Sequence, residues 1–305
     1  MSSNRAYIAD AADVADVAPR TLPRRVLLPR AIGPEVLLTY AILLAGAVVI
    51  LAPFLWMVSA SFKPEGEILT YPPRLVLSTL TVENYDYVFT QTRFPTFIRN
   101  SLIVAVVTIT GHVISGTLVA YGFARFRFPG RQVLFMLMLS TLMIPFHAYM
   151  IPRFWIMKQL GVLDSLVAVF LPYLFGGPLY IFLFRQFFMS IPRELDDAAR
   201  VDGANSLQIF WHVLFPLARP VVVTVAVLEF IASWNSFLEP LVYLNSQSNY
   251  TVTLGLTLFR GAFAGQIQWG PLMAATTLAV IPPLLVFFFA QRHIIGGITG
   301  TGLKG

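Results

Sequence analysis

Charged residues are absent from five long stretches of the chain, 36–62, 100–124, 132–152, 165–184 and 261–291. A sixth apolar stretch, about 214–241, carries Glu229 and Glu239. An α-helix rises 1.5 Å per residue, so about 20 apolar residues cross roughly 30 Å of hydrocarbon. The pattern therefore predicts six membrane-spanning helices, about 36–60, 98–122, 132–152, 165–188, 214–241 and 270–291. An even number of crossings puts both termini on one side. Prolines recur inside these stretches (Pro53, Pro145, Pro172, Pro178, Pro220, Pro282 and Pro283). Each removes a backbone donor and favours a kink, which membranes tolerate where a neighbour or water satisfies the freed carbonyl.

Composition supports the membrane reading. Of 305 residues, 57% are hydrophobic and only 12% charged, with a mean hydropathy of +0.73. Ordinary soluble domains carry about 25% charged residues. The formal charge of +6 is scattered between apolar segments and carries no nucleic-acid footprint. Counting Lys and Arg on alternate sides of the predicted spans gives 14 against 7. By the positive-inside rule both termini are cytoplasmic. Residues 1–34 hold five arginines and no apolar core of signal-peptide length, so they read as a flexible cytosolic tail ahead of an uncleaved anchor. Cysteine is absent, which leaves no disulfide framework and no thiolate site.

The polar segment 190–212 is the most informative. Pro192 suits a first helical turn, and Glu194, Asp196 and Asp197 near that N-terminus complement the helix dipole. Gly203 is a natural stop, and Asn205 or Ser206 can cap a second helix running to Pro216. A short helix, a sharp turn and a helix entering the membrane result. A solvated acidic loop is the plainer reading of the same residues.

Asp197-Ala198-Ala199 followed by Asp202-Gly203-Ala204, Phe210, Pro216 and Pro220 resembles the EAA loop of binding-protein-dependent ABC importer permeases. Trp234-Asn-Ser-Phe-Leu-Glu-Pro-Leu-Val-Tyr-Leu244 and the tail from Gln291 to Gly305 narrow the resemblance to the MalG-like carbohydrate branch. It covers about residues 35–305. Asp197 stands where the family has glutamate, Phe215 where a smaller aliphatic is commoner, and Glu239 where an apolar or small residue is expected.

The resemblance implies an all-α fold of the type I ABC importer permease, without catalytic residues or a metal site. It implies a MalF-like second permease, two ATPase subunits that bind ATP and Mg, and an extracytoplasmic solute-binding protein delivering carbohydrate. The location implied is the prokaryotic inner (plasma) membrane. Glu194, Asp197, Ala198, Ala199, Asp202, Gly203 and Ala204 would form the ATPase-coupling element. The outer loop containing Arg260, Phe263, Gln266 and Gln268 would reach the binding protein, although an ordinary loop with an interfacial Trp269 fits the same residues.

Glu229 and Glu239 fall inside an apolar stretch, where a mid-membrane charge costs about 2.5–3.5 kcal/mol on insertion scales. Glu229 should therefore face protein or water, or be protonated. On one continuous helix the two carboxyls would lie about 15 Å apart, too far to pair. Asn235 and Glu239, four residues apart, would share a face and meet a sugar hydroxyl, and Trp234 would stack on a sugar ring. Packing against a second permease, or an interfacial aromatic belt, is the plainer reading of the same residues. The four histidines have no metal-ligand spacing, and the glycine-rich tail is not a P-loop, because Leu303 precedes Lys304. A proton-coupled secondary transporter using Glu229 is the alternative; its expected signature, an internal repeat of broken helices, is not seen.

Overall fold

The computed structural model describes residues 33–70, 79–261 and 267–302, with the backbone alone over 292–302. The chain divides into two units, Met1–Pro53 and Phe54–Gly305. Helix α1 (Pro34–Ser61) begins in the first and ends in the second. From Val36 to Leu51 its large apolar side chains are exposed on every face, a surface suited to hydrocarbon rather than to one packed side.

The second unit starts with the last turns of α1, then α2 (Glu65–Ile68) and α3 (Glu83–Thr90). Helix α4 (Phe94–Arg125) follows and packs against more elements than its neighbours do, touching α8, α12 and the 3-10 turn 171–175 among others. Small residues permit this. Gly111 lies so close to that turn that a Cβ there would sit 2.7 Å from the Leu174 Cα. Ala105, Ala120 and Ala124 of α4 are buried in two of the apolar clusters described below.

Next come α5 (Arg131–Ser140), α6 (Phe146–Gln159), α7 (Leu166–Phe170) and α8 (Pro178–Ser190). The cytoplasm-assigned loop folds as α9 (Glu194–Val201) and α10 (Ser206–Ile209), and a π-helical turn over Phe210–Leu214 leads to α11 (Phe215–Leu217). The chain ends with α12 (Arg219–Trp234), α13 (Leu238–Tyr243), α14 (Val252–Gly255) and α15 (Trp269–Gly302). Three apolar clusters hold the unit together. One joins α4, α8 and the 209–225 segment around Phe184, Phe188 and Phe210. The second joins α3, α4, α12 and α15 around Phe97 and Trp234, and the third surrounds Val104, Met157, Val169 and Tyr243.

Among the described residues, four helices are long and apolar enough to span a membrane: α1, α4, the α7–α8 run Leu166–Ser190, and the Trp269–Gln291 part of α15. Two bent helix pairs bring the number to six if each is one span. The third predicted helix, about 132–152, turns by 101° between Arg131–Met143 and Phe146–Gln159. Pro145 is responsible, because a residue before proline is driven out of the α region, and Ile144 is extended at φ −83°, ψ 113°. The fifth, about 214–241, is not one helix either. It bends by 73° at Ala218, between Pro216 and Pro220, and its long arm stops at Trp234. Asn235 ends that arm by folding its amide back onto the Ile231 carbonyl (2.8 Å).

Candidate functional site

The end of α12 at Trp234 changes the geometry expected for the polar residues. Asn235 and Glu239 do not share a helix face, since α13 begins only at Leu238. Glu229 and Glu239 are not strung along one axis; both line a single cavity of about 460 Å³ between α4, α6, α12 and α13. Its wall also carries Phe146, Tyr149, Tyr173 and Phe237, with Ser233, Asn235 and Ser236 among the polar groups.

Glu239 is 7% exposed. Its Oε1 accepts from Arg153 Nη1 at 2.8 Å and from the Tyr173 hydroxyl at 2.5 Å. The Arg153 guanidinium also lies over the Tyr173 ring, 5.0 Å from its centroid. A buried carboxylate is tolerated when it is paired and its oxygens are hydrogen-bonded, and here a cation and a phenol do both. Pro152 and Arg153 stand inside α6, which the bend at Pro145 has turned toward α13.

Glu229, 5% exposed, meets α4 instead. Its Oε2 lies 3.5 Å from His112 Nε2, and the hydroxyls of Thr108 and Tyr180 also engage it. His112 sits edge-on to Tyr173 and Tyr180, at centroid distances of 5.5 and 4.8 Å, so one aromatic pair bridges the two carboxyl sites. His112, which sequence spacing left isolated, is thus adjacent to an acid. No group of three metal-ligating side chains forms among the described residues.

Trp234 is 2% exposed. Its indole N–H donates to the Ala279 carbonyl at 3.0 Å, and its ring stacks on Phe230. That ring is committed to the α12–α15 contact and does not face the cavity.

The exposed helix α9 is held by a precise chain reversal. Gly203 is left-handed at φ +86°. The Gly203 N–H bonds the Arg200 carbonyl (3.0 Å) and the Ala204 N–H the Ala199 carbonyl (2.9 Å), the two bonds of a Schellman cap. Helix α10 starts two residues later with a capping box, in which Asn205 accepts from the Gln208 N–H and Gln208 from the Asn205 N–H. With both helix ends satisfied, the turn is stiff.

The C-terminus of α4 grips this reversal. Arg125 Nε stands 3.0 Å from Asp196 Oδ2, with both side chains largely buried. Arg125 also donates to the Ile191 carbonyl (3.1 Å), and the Tyr121 hydroxyl to the Ser206 carbonyl (3.0 Å). Burial raises the Asp196 carboxyl above its ordinary range, with Arg125 opposing the shift. Facing away from α4, Glu194, Asp197, Ala198 and Asp202 are exposed. Val201 is 88% exposed.

Of the residues expected in an outer loop, Phe263 and Gln266 lie outside the described residues. Arg260 is exposed, and the Gln268 N–H bonds the Phe259 carbonyl (3.2 Å). Nearby, both carboxylate oxygens of Glu65 accept the Trp269 and Gly270 N–H groups (2.6 and 2.7 Å), capping α15.

The sequence reading did not connect Arg125 with Asp196, nor Arg153 and Tyr173 with Glu239. The available signal was a lone arginine beside an apolar stretch and a lone acid inside another, each needing a partner at similar depth.

Comparison with known proteins agrees with this architecture. Residues 111–299 match the family model described as binding-protein-dependent transport system inner membrane component. The chain is 35% identical over 256 residues to the arabinooligosaccharides transport system permease protein AraQ of Halalkalibacterium halodurans, covering 83% of this chain and 91% of that one. It is 34% identical over 263 residues to the trehalose/maltose transport system permease protein MalG of Thermococcus litoralis, covering 85% and 93%. Among solved structures, a chain of a bacterial ABC transporter involved in import of the acidic polysaccharide alginate superposes with a TM-score of 0.77 at 24% identity. That match covers 87% of this chain and 98% of the other.

Proposed function

The chain belongs to the binding-protein-dependent transport system inner membrane components, and on that premise we propose that it is the permease subunit of an ATP-driven sugar importer whose cavity opens and closes with a partner ATPase. It is a multi-pass membrane protein and a transport subunit rather than an enzyme. In this reading ATP and Mg are bound by two partner ATPase subunits. A second, MalF-like permease completes the translocation path, and a solute-binding protein delivers the sugar from outside. Both termini and α9 face the cytoplasm, as the arginine bias requires.

The observation that carries the reading is α9 itself. It is a capped helix whose outer face presents small Ala198, acidic Glu194 and Asp197, and the bare apolar Val201. A solvated loop has no need of an 88% exposed valine; a helix seated in a partner's cleft does. Asp202, Gly203 and Ala204 set the angle at which the helix is offered, and Ala199 packs at its base. Motion received by α9 passes to α4 through Arg125 and Tyr121, and to α12 through the π-helical turn and α11. Both α4 and α12 line the cavity.

The cavity suits a saccharide. Aromatic rings offer flat surfaces to the C–H faces of a pyranose, and a few fixed polar groups orient its hydroxyls. Glu229, Asn235 and Glu239 are among the polar groups on the wall, with Trp234 supporting them from behind. Arg260, Phe263, Gln266 and Gln268 belong to the loop assigned to the binding protein.

His112 beside Glu229 favours a second reading, a proton-coupled carrier. One experiment separates the two. The complex copurifying with this chain is placed in proteoliposomes with its binding protein, and labelled-oligosaccharide uptake is followed with ATP or with an imposed pH gradient. Uptake that needs ATP and ignores a protonophore is expected. Uptake driven by the pH gradient without ATP would overturn the proposal.

A further inference from the structure

At the ends of α4, α5 and α8, beside the start of α9, four arginines surround a second cavity of about 500 Å³: Arg125, Arg131, Arg185 and Arg193. Three have backbone carbonyl acceptors. Arg125 reaches Ile191 as well as Asp196, Arg131 donates to Phe126 (3.0 Å), and Arg193 reaches Ala124 (3.5 Å). Arg185 differs. It is 8% exposed, its Nε is buried without a hydrogen-bond acceptor, and no carboxylate lies within 4.0 Å of it among the described residues. Its guanidinium is held 4.2 Å over the Phe135 ring. The charge of Arg131, of the same sign, acts on it.

Charge balance sharpens the point. Four guanidinium groups face two carboxylates, Glu194 on the cavity wall and Asp196 behind Arg125, which leaves an excess of two positive charges in a partly buried space. A buried guanidinium with unused N–H groups is costly unless an anion meets it, and its planar fork matches phosphate. The surroundings select among anions. On α5, starting beside Arg131, the side chains of Val133, Leu134, Met136 and Leu137 are all more than half exposed, and Phe126 and Phe128 are exposed at the adjoining turn. The cavity therefore opens beside an apolar surface of spanning-helix character, where acyl chains run.

We propose that this cavity binds the phosphate of an anionic phospholipid headgroup, with Arg185 and Arg131 as its ligands and the acyl chains lying along α5. Basic pockets between spanning helices at the cytoplasmic face are the recognised setting for such headgroups. The lipid supplies the negative charge that the chain omits there, and it braces the ends of α4 and α8 against α9.

The test uses the purified membrane protein with its copurifying partners in a neutral detergent. It is titrated with dioleoylphosphatidylglycerol or dioleoylphosphatidylcholine, and bound lipid is counted by native mass spectrometry. Inorganic phosphate and glycerol 3-phosphate serve as soluble competitors. Phosphatidylglycerol is expected to bind in preference to phosphatidylcholine, and Arg185→Gln and Arg131→Gln are each expected to weaken it about fivefold. Arg131 is only half-buried, so its variant carries the test if Arg185→Gln does not fold. Equal retention of the two lipids, or unchanged phosphatidylglycerol binding in Arg131→Gln, overturns the proposal. Displacement by the soluble phosphates at equal concentration overturns the lipid assignment in favour of a free phosphate.

Discussion

Arg125 and Asp196 offer a prediction in which the order of effects is fixed by burial. They are 7% and 5% exposed and stand 3.0 Å apart. Removing one member of a buried pair costs about 3–5 kcal/mol, because the other is left uncompensated. Arg125→Met leaves the carboxylate, already raised by burial, with only the weaker pull of Arg200 and Arg193; a loss of about 3 kcal/mol is expected. Asp196→Asn should cost less, about 1–2 kcal/mol, since an amide oxygen still accepts and Arg125 keeps its bond to the Ile191 carbonyl. Replacing both, as Arg125→Met with Asp196→Asn, removes both charges and should come within about 1 kcal/mol of the parent. The assay is unfolding of the purified protein in mixed micelles of increasing SDS fraction, completed as a double-mutant cycle. A coupling energy of about 3 kcal/mol is expected. Additive single effects, within about 0.5 kcal/mol, would refute the claim that the two groups act as one buried unit. Uptake by the double variant then reports whether the tie between α9 and α4 needs charge or only contact.

Three further predictions rest on local geometry. Gly203→Val forces a β-branched residue into φ +86°, a strain of about 1–2 kcal/mol; the protein should still insert, while ATP-driven uptake falls and basal ATP hydrolysis continues in the same proteoliposomes. Asp164, itself at φ 55°, accepts the Asn245 and Ser246 N–H groups (2.9 and 2.8 Å) and the Ser246 hydroxyl, and these bonds hold its carboxyl down to about 2. Its contribution should be complete above the ordinary aspartate value of 3.8 and be lost as pH falls through about 2; melting between pH 2 and 5 should show this slope, and Asp164→Asn should flatten it. Gly255→Ala would place a Cβ 2.2 Å from the Phe97 ring, and thermal unfolding should report a loss of about 1–3 kcal/mol from overpacking.

Much of the fold was legible because membrane insertion writes itself as charge-free length. The runs at 36–62, 100–124 and 165–184 are matched by α1, α4 and the α7–α8 run. Prolines marked where kinks arise, and Pro145 and the Pro216–Pro220 region are where they occur. What could not be read was which of the prolines in spans would bend sharply, since Pro53 and Pro282–Pro283 remain inside continuous helices. The stop at Trp234 was hidden as well, because no glycine or proline marks it. The polar site followed the same division. Gly203 and Asn205 announce their caps locally, whereas Glu239 meets Arg153 and Tyr173 across separations of 86 and 66 residues. Periodicity within one helix carries no information about such partners.

The cap on α15 bears on how the chain is made. Glu65 emerges just after α1, yet the two N–H groups it accepts belong to Trp269 and Gly270, at the start of the last helix. Asn100, early in α4, likewise waits for the carbonyls of Ser248 and Tyr250. During synthesis the end of α1 therefore waits for the start of the last helix, and the start of α4 for residues 248–250. Closure at Glu65 is thus a late event, and a ribosome stalled before residue 269 would leave the chain open to proteases at the 60–70 segment.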